Sequence, residues 1–257
     1  MARRGAIAVG LIVSCVCLAP AVQAASKPSP AEARTIAALT RQLDAAEHDL
    51  QVAEDVSAIK RLQREYGFFL DKGLWEDFSD LFTDDARAAY PAGTYIGKAS
   101  IREHIWRNVG DGVIGLKDGR IYNHMVMQPV VDVMPDGKTA KGRWRVLAMI
   151  GRLGDGKTPG QATWAGGIYE NTYVKENGVW KIKDLKYYDG FSAPYEGGWA
   201  KATPVKPGEA PPPPAPRRFA LARPPDQPHD ADCPGYPYAC IQPFHYANPV
   251  TGRETKP

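Results

Sequence analysis

The sequence predicts an α+β fold in which N-terminal helices cover one face of a curved antiparallel sheet. Three observations carry the prediction. Apolar residues recur every three or four positions between residues 31 and 82, the spacing of a helix face. The period then changes to two over runs at 121–134, 139–151, 162–175 and 179–191, the spacing of half-buried strands. Pro135-Asp136-Gly137 and Glu176-Asn177-Gly178 supply turn chemistry between neighbouring runs. Helices followed by a strand meander place the helices against one sheet. The concave sheet face and the helices would enclose a pocket.

The chain has 257 residues, 44% hydrophobic and 24% charged, an ordinary globular composition. Its formal charge is +3, with no long basic run, so nothing points to nucleic acid as a partner. Residues 1–24 read as a secretory signal peptide: Arg3 and Arg4, an apolar stretch over 6–18, then Val22-Gln23-Ala24 as a small-residue cleavage site. The mature chain would begin near Ala25 and be periplasmic or secreted. The apolar stretch is short of the roughly 20 residues that span a membrane, and no transmembrane segment is expected in the mature chain. Ile12-Val13-Ser14-Cys15 also resembles a lipoprotein box, which would leave a lipid anchor on Cys15.

The elements follow in order. Residues 31–54 form a helical extension in which Ile36, Leu39, Leu43, Ala46, Leu50 and Ala53 step by three and four. This is short for a stable coiled coil, so the segment packs on its own domain or on a sister subunit. Residues 55–192 form the α+β domain. Val56, Ile59, Leu62, Tyr66 and Leu70 carry a second stripe that stops at Lys72-Gly73. A short helix fits residues 74–82, before Thr83-Asp84-Asp85 as a turn and cap. Short strands fit 87–90 and 94–96, and a helix fits 100–109. Gly166-Gly167 inside a strand marks a bulge or bend.

Residues 193–257 form a Pro-rich arm. Tyr236, Tyr238, Phe244 and Tyr246 would anchor it on the domain or on a neighbouring subunit; a crossing to another protomer is the preferred reading. Cys233 and Cys240 flank a Pro- and Gly-bearing loop and would form a local disulfide after export.

His124 is the histidine that falls in a long predicted strand. By alternation it shares a face with Tyr122, Val126, Gln128 and Val130. Asp71 ends the second helical stripe behind Phe68-Phe69-Leu70; such a carboxylate is often partly buried and needs a partner. Tyr66 and Tyr90 lie nearby in the predicted elements. Arg143 and Arg145 share one face of a strand and would bind a phenolate, carboxylate or ether oxygen if that face lines the pocket. The other reading is a solvated outer face. Trp75 is a candidate substrate wall, although tryptophans are more often core. No phosphate-binding glycine loop, His-rich metal motif or Gly-x-Ser-x-Gly elbow is present.

These positions resemble the SnoaL-like branch of the nuclear-transport-factor-2-like superfamily across residues 55–192. The pattern is Tyr66-Gly-Phe-Phe-Leu-Asp71-Lys-Gly-Leu-Trp75, then Asp80-Leu-Phe-Thr-Asp-Asp85, Gly97, Ile101-Arg102, Asn123-His124 and Gly178-Val-Trp180-Lys-Ile182. The resemblance implies a cone-shaped α+β barrel with an apolar pocket. Scytalone dehydratase, bile acid 7α-dehydratase and hexachlorocyclohexane dehydrochlorinase of this branch carry an Asp–His pair, and Asp71 and His124 occupy matching positions. Tyr90 and Tyr66 match pocket tyrosines of the dehydratases. An Arg that some members use on the last strand is Leu185 here, and a second catalytic His has no evident counterpart.

The implied chemistry needs no metal or cofactor. Asp71 would accept the Nδ1 proton of His124 and fix its tautomer, leaving Nε2 as a general base. Tyr66 or Tyr90 would hydrogen-bond a departing oxygen. The alternative is a buried His–carboxylate pair that only stabilises the fold. The helix end and the Pro-Phe-His-Tyr-Ala-Asn-Pro tail also resemble bacterial lignin-dimer γ-formaldehyde lyases. That resemblance implies release of formaldehyde from a diarylpropane or phenylcoumaran diol, giving a stilbene. The expected partners are a small apolar aromatic substrate and further copies of the chain, as a dimer or trimer. A dehydratase and a non-catalytic ligand-binding module are the rival functions.

Overall fold

The computed structural model describes residues 27–154, 156–157, 159–198, 221–230, 241, 243–252 and 254. The signal peptide, Cys15, the Cys233–Cys240 pairing, Tyr236 and Tyr238 lie outside the described residues. Two compact units are distinguished, Met1–Ala46 and Glu47–Pro257.

Helix α1 (Pro30–Lys72) is continuous over 43 residues. The two predicted stripes run into one another because neither Gly nor Pro separates Ala53 from Val56. A reciprocal capping box starts the helix. The Ser29 N–H donates to Glu32 Oε2 at 2.7 Å, and the Glu32 N–H donates to Ser29 Oγ at 3.3 Å. Within the larger unit, Asp55, Ile59, Leu62, Gln63, Tyr66, Gly67 and Leu70 form the buried stripe of α1. Asp55 ties the helix to the last hairpin by accepting from Lys175 Nζ at 2.6 Å and from Trp180 Nε1 at 2.8 Å. Gly73, at φ +66°, provides the left-handed residue that ends the helix.

Helix α2 (Trp75–Asp80) follows, then strands β1 (Phe82–Tyr90) and β2 (Gly93–Ile96). The expected turn at Thr83-Asp84-Asp85 therefore lies within β1. Helix α3 (Lys98–His104) continues into one π-helical turn over Ile105–Val109. Four long strands complete the domain: β3 (Arg120–Val133), β4 (Thr139–Arg152), β5 (Gln161–Glu176) and β6 (Val179–Pro194). The sheet order is β2-β1-β6-β5-β4-β3, antiparallel except for the β1/β6 pair. The α+β cone is present as a curved sheet that stays unclosed, with β2 and β3 as its edges.

Two of the sheet's register shifts bear on the site. Register shifts at Gly166-Gly167, as the glycine pair predicted. It also shifts between Met127 and Val130, with Gln128 at φ +49°. Pro129 cannot donate a ladder bond there. This overturns the expected face of His124 beyond Met127: Val131 and Val133 pack on the core instead of Gln128 and Val130.

The described parts of the arm dock on their own domain. Thr94 and Gln227 pair across the β2 edge, and Asp226 Oδ2 accepts from the Ile96 N–H at 2.8 Å. Covering an edge strand in this way blocks further strand addition. Phe244 lies under the Arg143 guanidinium at 4.0 Å. Among the described residues, no helix is long and apolar enough to cross a membrane.

Candidate functional site

The site is built where α1 meets β3. Gly67 makes the approach possible, because a Cβ there would lie 2.9 Å from the His124 carbonyl oxygen. One turn later Asp71 reaches the same strand. Its Oδ1 accepts the main-chain N–H of His124 at 2.8 Å. This corrects the expected contact, in which Asp71 held the imidazole Nδ1. The physical reason is the strand's place: β3 is an edge, so the His124 N–H points away from β4 and needs an acceptor. Oδ2 of Asp71 has no protein partner among the described residues.

The imidazole is held elsewhere. His124 Nε2 and the Tyr169 hydroxyl are 3.0 Å apart, Tyr169 and Tyr66 share a hydrogen bond at 3.1 Å, and Tyr66 and Tyr90 share one at 3.3 Å. Three tyrosine hydroxyls thus form a chain ending on one imidazole. The direction of that chain follows from which ring nitrogen carries the proton. His124 Nδ1 is buried and has no hydrogen-bond partner among the described residues. Tyr122 stacks alongside the ring, with centroids 6.2 Å apart and planes 14° apart.

Burial sets the charges. It pulls the His124 imidazole down to about 4. It pushes the Asp71 carboxyl up to about 6, against the opposing pull of the His124 N–H and Lys72. Burial also raises Tyr66, Tyr90 and Tyr169 above the ordinary tyrosine value, and Tyr122 up to about 12. At neutral pH the imidazole and the hydroxyls are therefore uncharged, while Asp71 is mostly ionised.

A cavity of about 140 Å³, open to solvent at its mouth, lies beside this junction. Asp71, Lys72, Trp75, Lys117, Arg120 and Tyr122 are among its walls. Trp75 is fixed by its indole N–H, which donates to the Val113 carbonyl at 2.7 Å. Arg120 is held by Asp111 at 3.1 Å and by the Val109 carbonyl. Of the residues expected from the sequence, Asp71 and Trp75 line the cavity, while Tyr66, Tyr90 and His124 are not among its walls.

Arg143 and Arg145 do not belong to this site. Register places Arg143 opposite Val130 and Glu170, and Arg145 opposite Met127 and Ile168, on the reverse face from Trp144 and His124. Arg143 pairs with Glu170 and donates to the Pro243 carbonyl at 2.8 Å. Arg145 Nε donates to Gln128 Oε1 at 2.6 Å. The expectation that these arginines bind substrate is thus overturned by strand alternation. The cations that reach the cavity are Lys72, Lys117 and Arg120.

Tyr169 and Tyr122 are the members that sequence reasoning missed. Tyr122 was visible as a face neighbour of His124. Tyr169 carried a weaker signal, its alternation with Tyr173 in β5, and its pairing with Trp144 becomes evident only from register. His104 is buried, stacked on Tyr95 at 3.8 Å and 5.2 Å from the Tyr90 ring. Among the described residues, no group of three or more His, Cys, Asp or Glu side chains is arranged to hold a metal ion.

The model of the SnoaL-like domain family matches residues 51–186. Similar solved structures include a putative scytalone dehydratase from Novosphingobium aromaticivorans DSM 12444, at 22% identity and a TM-score of 0.48, covering 56% of this chain and 90% of that one. The hexachlorocyclohexane dehydrochlorinase LinA-type3 from Novosphingobium barchaimii LL02 is similar at 20% identity and a TM-score of 0.49, covering 62% and 99%. A putative aromatic ring hydroxylase from Novosphingobium aromaticivorans DSM is similar at 23% identity and a TM-score of 0.46, covering 55% and 94%. With the family match spanning more than half of its length, the chain belongs to the SnoaL-like family of the nuclear-transport-factor-2-like fold.

Proposed function

We propose that this protein is a lyase that uses its own side chains to release formaldehyde from a lignin-type aryl diol, leaving a stilbene. The observation that carries the reading is Asp71. It is a half-buried carboxylate with one oxygen held by the His124 N–H and the other free, on the wall of a cavity open to solvent. A carboxyl raised to about 6 is suited to general base work near neutrality.

The reaction runs in balanced steps. The substrate rests between Trp75 and Tyr122, with its phenol oxygen toward Lys117 and Arg120. The phenol proton and the benzylic hydroxyl leave as water, with the Tyr122 hydroxyl assisting departure, and a quinone methide remains. Asp71 takes the proton of the primary hydroxyl. The bond between the carbinol carbon and its neighbour breaks, formaldehyde departs, and the electron pair restores the ring as a phenolate. Asp71 returns its proton to that phenolate. His124 acts through its main chain, by orienting Asp71, and through its ring, by anchoring the tyrosine chain.

The test is incubation of the purified mature protein with a panel of diarylpropane and phenylcoumaran diols, followed by mass spectrometry. Formaldehyde with a stilbene supports the lyase. Loss of water alone makes the protein a dehydratase, and no turnover across the panel removes the reading. The pH profile identifies the base: kcat/KM rising through about pH 6 belongs to Asp71, and through about pH 4 to His124. On residues 1–24 the proposal also places the protein in the periplasm or outside the cell. The N-terminal residue of the exported protein tests this, Ala25 for a free chain or an acylated Cys15 for an anchored one.

A further inference from the structure

We propose that His245 makes the end of the arm a pH-gated latch, closed on the outer face of the sheet while the imidazole is charged and opened as pH rises. The latch is the segment Pro243-Phe244-His245. The Pro243 carbonyl accepts from Arg143 at 2.8 Å, and Phe244 lies against the same guanidinium at 4.0 Å. Neither contact responds to pH near neutrality, because arginine keeps its charge.

His245 does respond. Its side chain is 11% exposed, and each ring nitrogen faces a carboxylate: Nδ1 lies 2.7 Å from Glu170 Oε2, and Nε2 lies 3.2 Å from Asp132 Oδ2. Carboxylates only accept, so both contacts are satisfied together only by the imidazolium, which has two N–H groups. The Nε2 contact lacks the alignment of a hydrogen bond, so its attraction rests on charge. A neutral ring keeps one proton, drawn to Nδ1 by the shorter contact, and turns the Nε2 lone pair toward Asp132. Attraction there gives way to repulsion.

The surrounding charges do not replace that proton. Arg143 of β4 is shared between Glu170 of β5 and Pro243. Lys141 of β4 donates to Thr172 Oγ1 at 2.8 Å, and Lys186 of β6 lies 3.6 Å from Asp230. On the arm itself, the Tyr246 ring meets the imidazole edge-on at 5.0 Å, and Glu254 pairs with Ala247. Among the described residues, His245 is the ion-pair partner of Asp132 on β3. The contribution of the latch is therefore present at low pH and is lost as pH rises through the imidazole titration. Upstream, the arm is held by the pairing of Gln227 with Thr94, which does not involve His245.

The experiment is hydroxyl-radical footprinting of the whole mature chain, read by mass spectrometry, with exposed Phe68 as the internal reference. Labelling of Phe244 and Tyr246 relative to Phe68 is expected to rise about twofold or more between about pH 5 and about pH 8, the window in which histidine changes charge. Circular dichroism at each pH checks that the domain stays folded. Asp71 also titrates in this window, and His245→Gln separates the two: its labelling is expected to be the same at both ends. Asp132→Asn leaves Arg143, Glu170 and Phe244 in place and is expected to shrink the rise. A flat wild-type profile overturns the proposal, and so does a rise that persists in His245→Gln. A full wild-type rise in Asp132→Asn overturns the two-carboxylate latch.

Discussion

The two faces of the sheet treat polar groups in opposite ways. Across the inner face of β4, β5 and β6, Trp144, Tyr169 and Tyr187 stand in one row. One step along, the outer face carries Arg143, Glu170 and Lys186. On that inner side the hydroxyls of Tyr169, Tyr66 and Tyr90 and the uncharged His124 imidazole are joined in a chain. On the outside, Arg143 and Glu170 are an ion pair, with Phe244 stacked on the guanidinium and His245 Nδ1 2.7 Å from Glu170. Neutral hydroxyls can redirect their protons without leaving a net charge in a low-dielectric interior. Paired charges hold one geometry and cost heavily when one partner is lost. The inner face is therefore suited to chemistry and the outer one to fastening the arm.

The largest expected effect breaks the inner side. Asp71→Asn keeps an acceptor for the His124 N–H but removes the base, so turnover of the aryl diol falls by about 10²-fold or more with the melting temperature nearly unchanged. Steady-state kinetics beside a thermal melt check this. A conspicuous loss of stability with full turnover would make Asp71 a structural residue.

On the outer side the outcome is reversed. Arg143→Leu leaves Glu170 with a half-satisfied carboxylate and releases Phe244 and Pro243. Because the pair keeps 11% and 14% of its side-chain area exposed, the cost is set at about 2–3 kcal/mol, below the full value for a buried pair. Turnover per folded molecule stays at the wild-type level. Urea unfolding and the rate on the same samples measure both.

Tyr169→Phe probes the hydroxyl chain itself. It removes the shared partner of Tyr66 and His124 Nε2, at a cost of about 1–3 kcal/mol for buried groups left unpaired. If the chain positions the imidazole, the histidine resonances move as well, and NMR of the ring protons reads that separately from stability.

The smallest effect concerns pH. His124 falls from an ordinary 6.5 to about 4 in the folded protein, so its contribution to stability is present above pH 6.5 and is lost as pH falls toward 4. Asp71 is raised from 3.8 to about 6, so its folded state binds protons more readily and gains stability as pH falls through 6 toward 3.8. The two slopes oppose one another. Wild-type stability is therefore expected to vary little between pH 6 and 4. Asp71→Asn uncovers the histidine slope, at most about 1.4 kcal/mol per pH unit, and makes the protein more acid-sensitive. His124→Gln uncovers the opposite slope. Urea midpoints at several pH values decide this, and a steep acid loss in the wild type would contradict it.

Much of the fold was legible from periodicity. The strand expected over 139–151 is Thr139–Arg152, and that over 121–134 is Arg120–Val133. Lys72-Gly73 marked the end of α1 because a left-handed residue is needed there. Alternation alone does not reveal the bulge at Met127–Val130, although Pro129 lies inside the run, because an inserted residue leaves the period on either side intact. Asp71 was singled out by its apolar surroundings, and its place at the cavity followed from where α1 ends. Arg143 and Arg145 share one face by alternation, and they do so in the sheet. Which face it was depended on the register of β4 against β3 and β5, information that one strand does not contain.

By itself the sequence determined the element types, their order and the residues rich enough in chemistry to matter, because periodicity and local capping act over a few positions along the chain. Only the tertiary structure decided which atoms meet. Asp71 holds the His124 main chain because β3 is an edge strand with an outward N–H, and Gly67 lets the helix come that close. The imidazole turns to Tyr169, 45 residues away. Such pairings depend on sheet order and register, which no local pattern encodes.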